Sequence, residues 1–167
     1  MIPWRTFVRY WLPVVLWAAL IFSASSDAGS SNHTSRFLRP LLLWLKPDLS
    51  DTALDGAVYV IRKAAHVTEY AVLAGLLWRA LRSRQRGRAL PWNWRLAGQA
   101  FGLVVAYAAS DELHQIFVPT REGRIRDVLY DSAGAAAALF LLWTWNNARL
   151  RRAGPARGSG ASTPAPR

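Results

Sequence analysis

The run 127–145, DVLYDSAGAAAALFLLWTW, opens on two aspartates and then continues without a charge to Trp145. As a helix it rises roughly 28 Å, close to the thickness of a bilayer hydrocarbon core. Asp127 and Asp131 are four apart, so they stack on one face with Gly134 next along it. The small residues from Ala133 to Ala138 let a neighbouring helix approach closely. The stretch therefore reads as a membrane helix that is polar at its start and apolar after it.

Upstream, Leu96 to Phe117 has the mirror-image pattern. It is apolar to Tyr107 and then carries Ser110, Asp111, Glu112, His114 and Gln115, with Pro119 ending it. Ala57 to Leu81 is again polar first, with Arg62, Lys63, His66 and Glu69, and cleanly apolar only from Tyr70. Phe7 to Phe22 follows Arg5 and Arg9 and has the look of a signal peptide. It is longer than a usual signal core, and the ionisable residues downstream need a membrane partner, so a retained helix is expected. Arg36 to Lys46 is too short to span and is interrupted by Pro40, which reads as an interfacial segment. Ser23 to Ser35 and Pro47 to Gly56 read as loops.

The expectation is an all-α fold: an integral membrane bundle of about four transmembrane helices, at about 7–24, 57–81, 96–118 and 127–146. The membrane domain then covers 1–148, and the Gly-, Pro-, Ser- and Ala-rich 149–167 is a disordered cytoplasmic tail. Charge sets the orientation. With both termini inside, Arg5, Arg9, the loop Arg79–Arg95 and the tail face the cytoplasm with no acidic residue among them, while all ten acidic residues and all three histidines lie outside. N-in, C-in is the orientation that obeys the positive-inside rule.

Composition narrows the function classes. The 167 residues are 52% hydrophobic with 9 tryptophans, gathered in blocks that a soluble domain of this size would not show. The absence of cysteine excludes disulfides, thiolate catalysis and cysteine-ligated metal. The net charge of +11 does not indicate nucleic acid, because the arginines border the apolar runs and form no stripe on a soluble fold. Membrane lipids with anionic headgroups are the expected partners. The preference for arginine over lysine, with many alanines, hints at a GC-rich bacterial genome.

In an alternating bundle the polar parts of the last three helices fall on one side. Lys63, His66, Glu69 and Tyr70 lie within an arc of about 120°. Tyr107, Ser110, Asp111, His114 and Gln115 share a face, from which Glu112 points away. The candidate catalytic residues are His66, Glu69, Asp111, His114, Asp127 and Asp131. The candidate substrate-binding residues are Lys63, Gln115, Arg121 and Arg126.

The motifs Ser23-x-x-Ser26, Lys63-x-x-His66-x-x-Glu69-Tyr70, Ser110-Asp111-Glu112-x-His114-Gln115, Pro119-x-Arg121 and Arg126-Asp127-x-x-x-Asp131-x-x-Gly134, in this order, resemble the VanZ-like family. The resemblance runs from about Trp11 to Trp143. The family takes its name from an accessory protein of glycopeptide resistance, associated with low-level resistance to teicoplanin. The resemblance implies a multi-pass protein of the bacterial cytoplasmic (inner) membrane with a role in glycopeptide tolerance. It supplies no biochemical activity.

Three readings of the polar residues stand side by side. In the first, an enzyme acts on an envelope lipid or lipid-linked precursor, with His114 as base, Asp111 or Asp127 orienting it, and Lys63, Arg121 and Arg126 clamping a phosphate. In a metal version, His66-x-x-Glu69 and Asp111-x-x-His114 supply ligand pairs one turn apart, completed by Asp127 or Asp131. In the second, an outward cavity binds or transports a lipid headgroup, a precursor or a glycopeptide. In the third, ion pairs such as Arg62 or Lys63 with Asp111, and Arg126 with Asp127, only hold the bundle together. Cofactor, metal and oligomeric state are left open by the sequence.

Overall fold

A computed structural model describes residues 3–26, 31–83, 85, 90–119 and 123–153, without the side chains of 31–34 and 153. The described residues form five helices and no strand: α1 (Trp4–Ser25), α2 (Ser31–Leu45), α3 (Asp51–Arg82), α4 (Trp94–Ile116) and α5 (Ile125–Ala153). The all-α expectation holds.

Local chemistry sets the helix boundaries. In α1, Pro13 has no N–H to give, and the turn before it widens into a π-helical segment, Phe7–Trp11, where the Leu12 amide bonds five residues back to the Phe7 carbonyl. α3 starts inside the expected loop 47–56. Ser50 has extended backbone, its hydroxyl accepts from the Ala53 amide at 3.3 Å, and Asp51 complements the positive end of the helix. Asn93 caps α4 through the Leu96 amide at 3.2 Å. α2 likewise starts inside the expected loop 23–35. α5 continues to Ala153, so 149–153, expected to be disordered, is helical, while 154–167 lies outside the described residues.

The bundle is centred on α3 and α5, which make the widest contact, with α4 packed on both and α1 laid mainly along α3. On α4 the buried positions Ala97, Ala100, Val104 and Ala108 form one line of small side chains. Against it pack Leu73, Ala74, Leu77 and Trp78 of α3 and Ala135 and Leu139 of α5. At Gly134 the α5 backbone touches the α3 backbone. A Cβ there would collide with the Val67 carbonyl oxygen and lie 3.0 Å from Val67 Cγ1.

The expectation of about four spanning helices is corrected. Among the described residues only Trp4–Ser25 and Ile125–Arg152 are long and apolar enough to cross a membrane. In α3 the uncharged stretch between Glu69 and Arg79 rises only about 14 Å, and in α4 that between Arg95 and Asp111 about 22 Å, against a hydrocarbon core of ~30 Å. The polar halves of these helices belong to the elements but shorten their apolar reach. Two crossings, like four, leave both termini on one side, so the N-in, C-in arrangement stays a reading of the charges alone. In the most apolar windows of the two candidate spans only 11% and 22% of residues are buried within the molecule, whereas the core helix of a soluble protein is mostly covered. Val15, Leu16, Leu20 and Phe22 of α1, and Phe140, Leu141 and Trp145 of α5, face outward.

The two ends of the bundle differ in chemistry. One end carries arginine and aromatic rings: Arg9 and Arg79 both lie over the Tyr10 ring, Arg82 lies over Trp78 and bonds Asn146 and the Leu90 carbonyl, and Trp78 stacks on Trp92 at 4.9 Å. Rings with cationic partners of this kind settle at a membrane–water boundary. The other end carries the acidic residues.

Gly134→Ala is expected to cost about 1–3 kcal/mol through overpacking against Val67. Gly98→Ala, where an added Cβ meets nothing within 4 Å, should be neutral or stabilising by up to about 1 kcal/mol. Unfolding midpoints of the detergent-solubilised protein give the comparison, and equal responses would contradict the close α3–α5 crossing.

Candidate functional site

The site begins on α4, where the buried line Ala97–Ala100–Val104–Ala108 continues into Asp111 and Gln115 at the same helical spacing. The chain thus places a carboxylate where a core side chain would sit, and Asp111 is only 3% exposed. One of its oxygens, Oδ2, accepts three hydrogen bonds: from Ser25 Oγ on α1 at 2.6 Å, Tyr70 OH on α3 at 3.1 Å, and Gln115 Nε2 one turn on at 3.1 Å. Ser25 and Tyr70 are fully buried. Three neutral donors on one oxygen spread the charge that burial makes costly. The second oxygen, Oδ1, has no hydrogen-bond partner.

On α5, Asp131 is 1% exposed, and its Oδ1 also has no partner. It lies within electrostatic reach of Asp111, Glu112, Asp127 and Lys63. Asp127, one turn earlier, is paired with Lys63 Nζ of α3 at 2.5 Å, and both side chains are partly exposed. Glu112 leaves the Asp111 face, as its phase predicts, and turns to the start of α5, where its Oε2 accepts from the Arg124 amide at 2.7 Å. A carboxylate there complements the helix N-terminus. Burial pushes the Glu112 carboxyl up from the ordinary range, and the Arg124 amide pulls it partly back. Gly123 makes this approach possible, because a Cβ there would strike the Glu112 carbonyl and lie 2.7 Å from Ile116 Cγ1.

The structure therefore joins Asp111 with Gln115, and Lys63 with Asp127, with Asp131 beside them. The other candidates have neighbours of their own. His66 Nδ1 lies 3.8 Å from Glu69 Oε2 on a partly exposed part of α3. His114 stacks on Phe22 of α1 at 4.5 Å between ring centres. Arg126 is exposed. Arg121 lies outside the described residues. The pairing of Lys63 with Asp111 is replaced by Lys63 with Asp127. The ligand pairs of the metal version do not converge: Asp111 turns to Ser25, Tyr70 and Gln115 while His114 turns to Phe22. Among the described residues no group of three or more histidine, aspartate and glutamate side chains is placed to hold a metal ion.

Sequence reasoning missed Ser25. The motif names Ser23 and Ser26 instead, whose hydroxyls donate to the Ala19 and Ser23 carbonyls. The usable signal was phase, since Val14, Ile21 and Ser25 are the buried residues of α1 and fall on one face. Two further bonds fasten α1 beside the site: Tyr107 OH to the Ala18 carbonyl at 2.6 Å and Trp17 Nε1 to the Glu69 carbonyl at 2.9 Å.

The VanZ/LLP1 family model matches residues 10–146, which takes in every element of the site. No curated protein and no solved structure matches the chain.

Asp111→Ala removes the shared acceptor and strands the buried donors, at about 1–3 kcal/mol for an unsatisfied group. Asp111→Asn keeps an oxygen in place and should retain most of the stability. Unfolding in detergent monitored by circular dichroism separates the two, and an equal loss would show that the negative charge itself holds the helices.

Proposed function

From the premise that the chain belongs to the VanZ/LLP1 family, we propose that it is a multi-pass protein of the bacterial cytoplasmic membrane that binds an envelope lipid or lipid-linked precursor at the Asp111–Asp131 layer. In this role it contributes to glycopeptide (teicoplanin) tolerance. The observation that carries the reading is the pair of buried carboxylates, each with one oxygen unfilled. Unfilled buried acceptors are costly, and donors that enter between the helices would satisfy them: sugar hydroxyls, peptide N–H groups or an ammonium. A sugar–peptide headgroup on a lipid carries all three. Lys63 and the exposed Arg126 supply the cations its phosphates need.

Binding has more support than catalysis. Ser110 spends its hydroxyl on the Tyr107 carbonyl at 2.7 Å, and His114 is stacked on Phe22. Neither makes the nucleophile–base bond on which covalent catalysis depends. Catalysis by acid–base residues alone is the second outcome of the test.

The test uses purified protein in nanodiscs with a polyprenyl-linked sugar–peptide, read by native mass spectrometry. An adduct of unchanged ligand mass that weakens about tenfold (~1.4 kcal/mol) in Asp131→Asn supports binding. An altered ligand mass replaces binding with catalysis, and no adduct in the wild type removes the ligand class. Teicoplanin susceptibility of a host with and without the protein, beside the same variant, tests the tolerance role. Equal susceptibility in all three strains would remove it.

A further inference from the structure

The helix α2 turns one side to the bundle and leaves an apolar side uncovered. At 100° per residue, Ser35, Leu38, Arg39 and Leu42 fall on one side, and all four are partly buried. Arg39 fastens that side to the first turns of α3, with its two terminal nitrogens 2.6 Å from Asp51 Oδ1 and 2.5 Å from Asp55 Oδ1. Phe37, Leu41 and Trp44 occupy the opposite side at the i, i+4, i+7 spacing of a helix face. They are exposed, Phe37 by 79% and Trp44 by 77%.

The position of α2 says what meets that face. α1 is one of the two candidate spans and is described to Ser26, and α2 begins at Ser31. The five steps between them reach at most about 18 Å. The other end of α2 is tied to the start of α3, at the end of the bundle that carries the acidic residues. The helix is therefore held beside the point where α1 leaves its apolar stretch. Arg36 and Lys46, both exposed, flank the apolar residues along the chain, and their positive charge complements anionic headgroups.

We propose that the Phe37–Leu41–Trp44 face lies on the lipid bilayer, with α2 in the plane of the boundary between headgroups and acyl chains. A short helix with aromatic and leucine side chains on one face and basic residues beside it is held there by apolar burial together with headgroup attraction. The inference is independent of any ligand of the polar layer. It assigns to α2 the task of fixing the depth at which the start of α3 meets the membrane.

The chain has no cysteine, so Phe37→Cys, Leu41→Cys, Trp44→Cys and, as an aqueous reference in the turn after α2, Asp48→Cys each give one nitroxide-labelling position in the full chain. The labelled proteins are placed in vesicles of phosphatidylethanolamine and phosphatidylglycerol, and electron paramagnetic resonance reads collision with oxygen against a water-soluble nickel chelate. The expected result is oxygen exceeding nickel at 37, 41 and 44, and the reverse at 48. Nickel access at 37, 41 and 44 equal to that at 48 would put the face in water and overturn the proposal. Exclusion of both reagents with an immobilised spectrum would put a second protein copy on the face and overturn it equally.

Discussion

A single oxygen atom, Asp111 Oδ2, ties together three of the five helices. Ser25 brings the end of α1 to it, Tyr70 brings the middle of α3, and Gln115 holds the carboxylate from its own helix. Between helices that face lipid, the hydrophobic effect gives little reason to associate, so packing and hydrogen bonds set the arrangement. This suits α1, whose most apolar part is largely uncovered. Beside the site, polar contacts of Ser25, the Ala18 carbonyl and the Trp17 indole fasten it, together with buried Ile21 and the stack of Phe22 on His114.

The remaining contacts depend on how close the backbones come. The line of alanines on α4 and the glycine at 134 let α3, α4 and α5 draw together, and the same line, continued by a turn, delivers Asp111 and Gln115 into the centre. The polar layer is thus the continuation of the core stripe with different chemistry, so stability and site share the same helix faces. At the opposite end, arginine over aromatic rings replaces carboxylates. The molecule differs along its length because its acidic residues gather at one end while basic residues stand at both.

Much of this was legible in the residues. The apolar runs in α1 and α5 stood out because they carry few charges over a membrane-sized length, and the convergence of the polar ends of α3, α4 and α5 followed from their order along the chain. Helical phase placed Asp111 and Gln115 together and turned Glu112 away. The number of spans was misjudged because polar half-helices were counted toward spanning length. Ser25 escaped notice because its two neighbouring serines make the more visible motif, and the early start of α3 because a Ser50–Asp51 cap looks like an acidic loop. The partner of Lys63 was a matter of distance across the bundle, which phase within one helix does not contain.

The ion pair between Lys63 and Asp127 also has a place in time. Its two residues are separated by most of α3, all of α4 and the turns between, so the ribosome delivers the lysine well before the aspartate. At about 5–20 residues per second the interval is roughly 3–13 s. Ser25, Tyr70, Asp111 and Gln115 are all present before α5 begins, so the hub can close early. Lys63, partly exposed, must wait for α5 before it meets Asp127. Of the described helices, α5 is thus the one that brings Asp127 and Asp131 to a polar layer whose other members precede it in the chain.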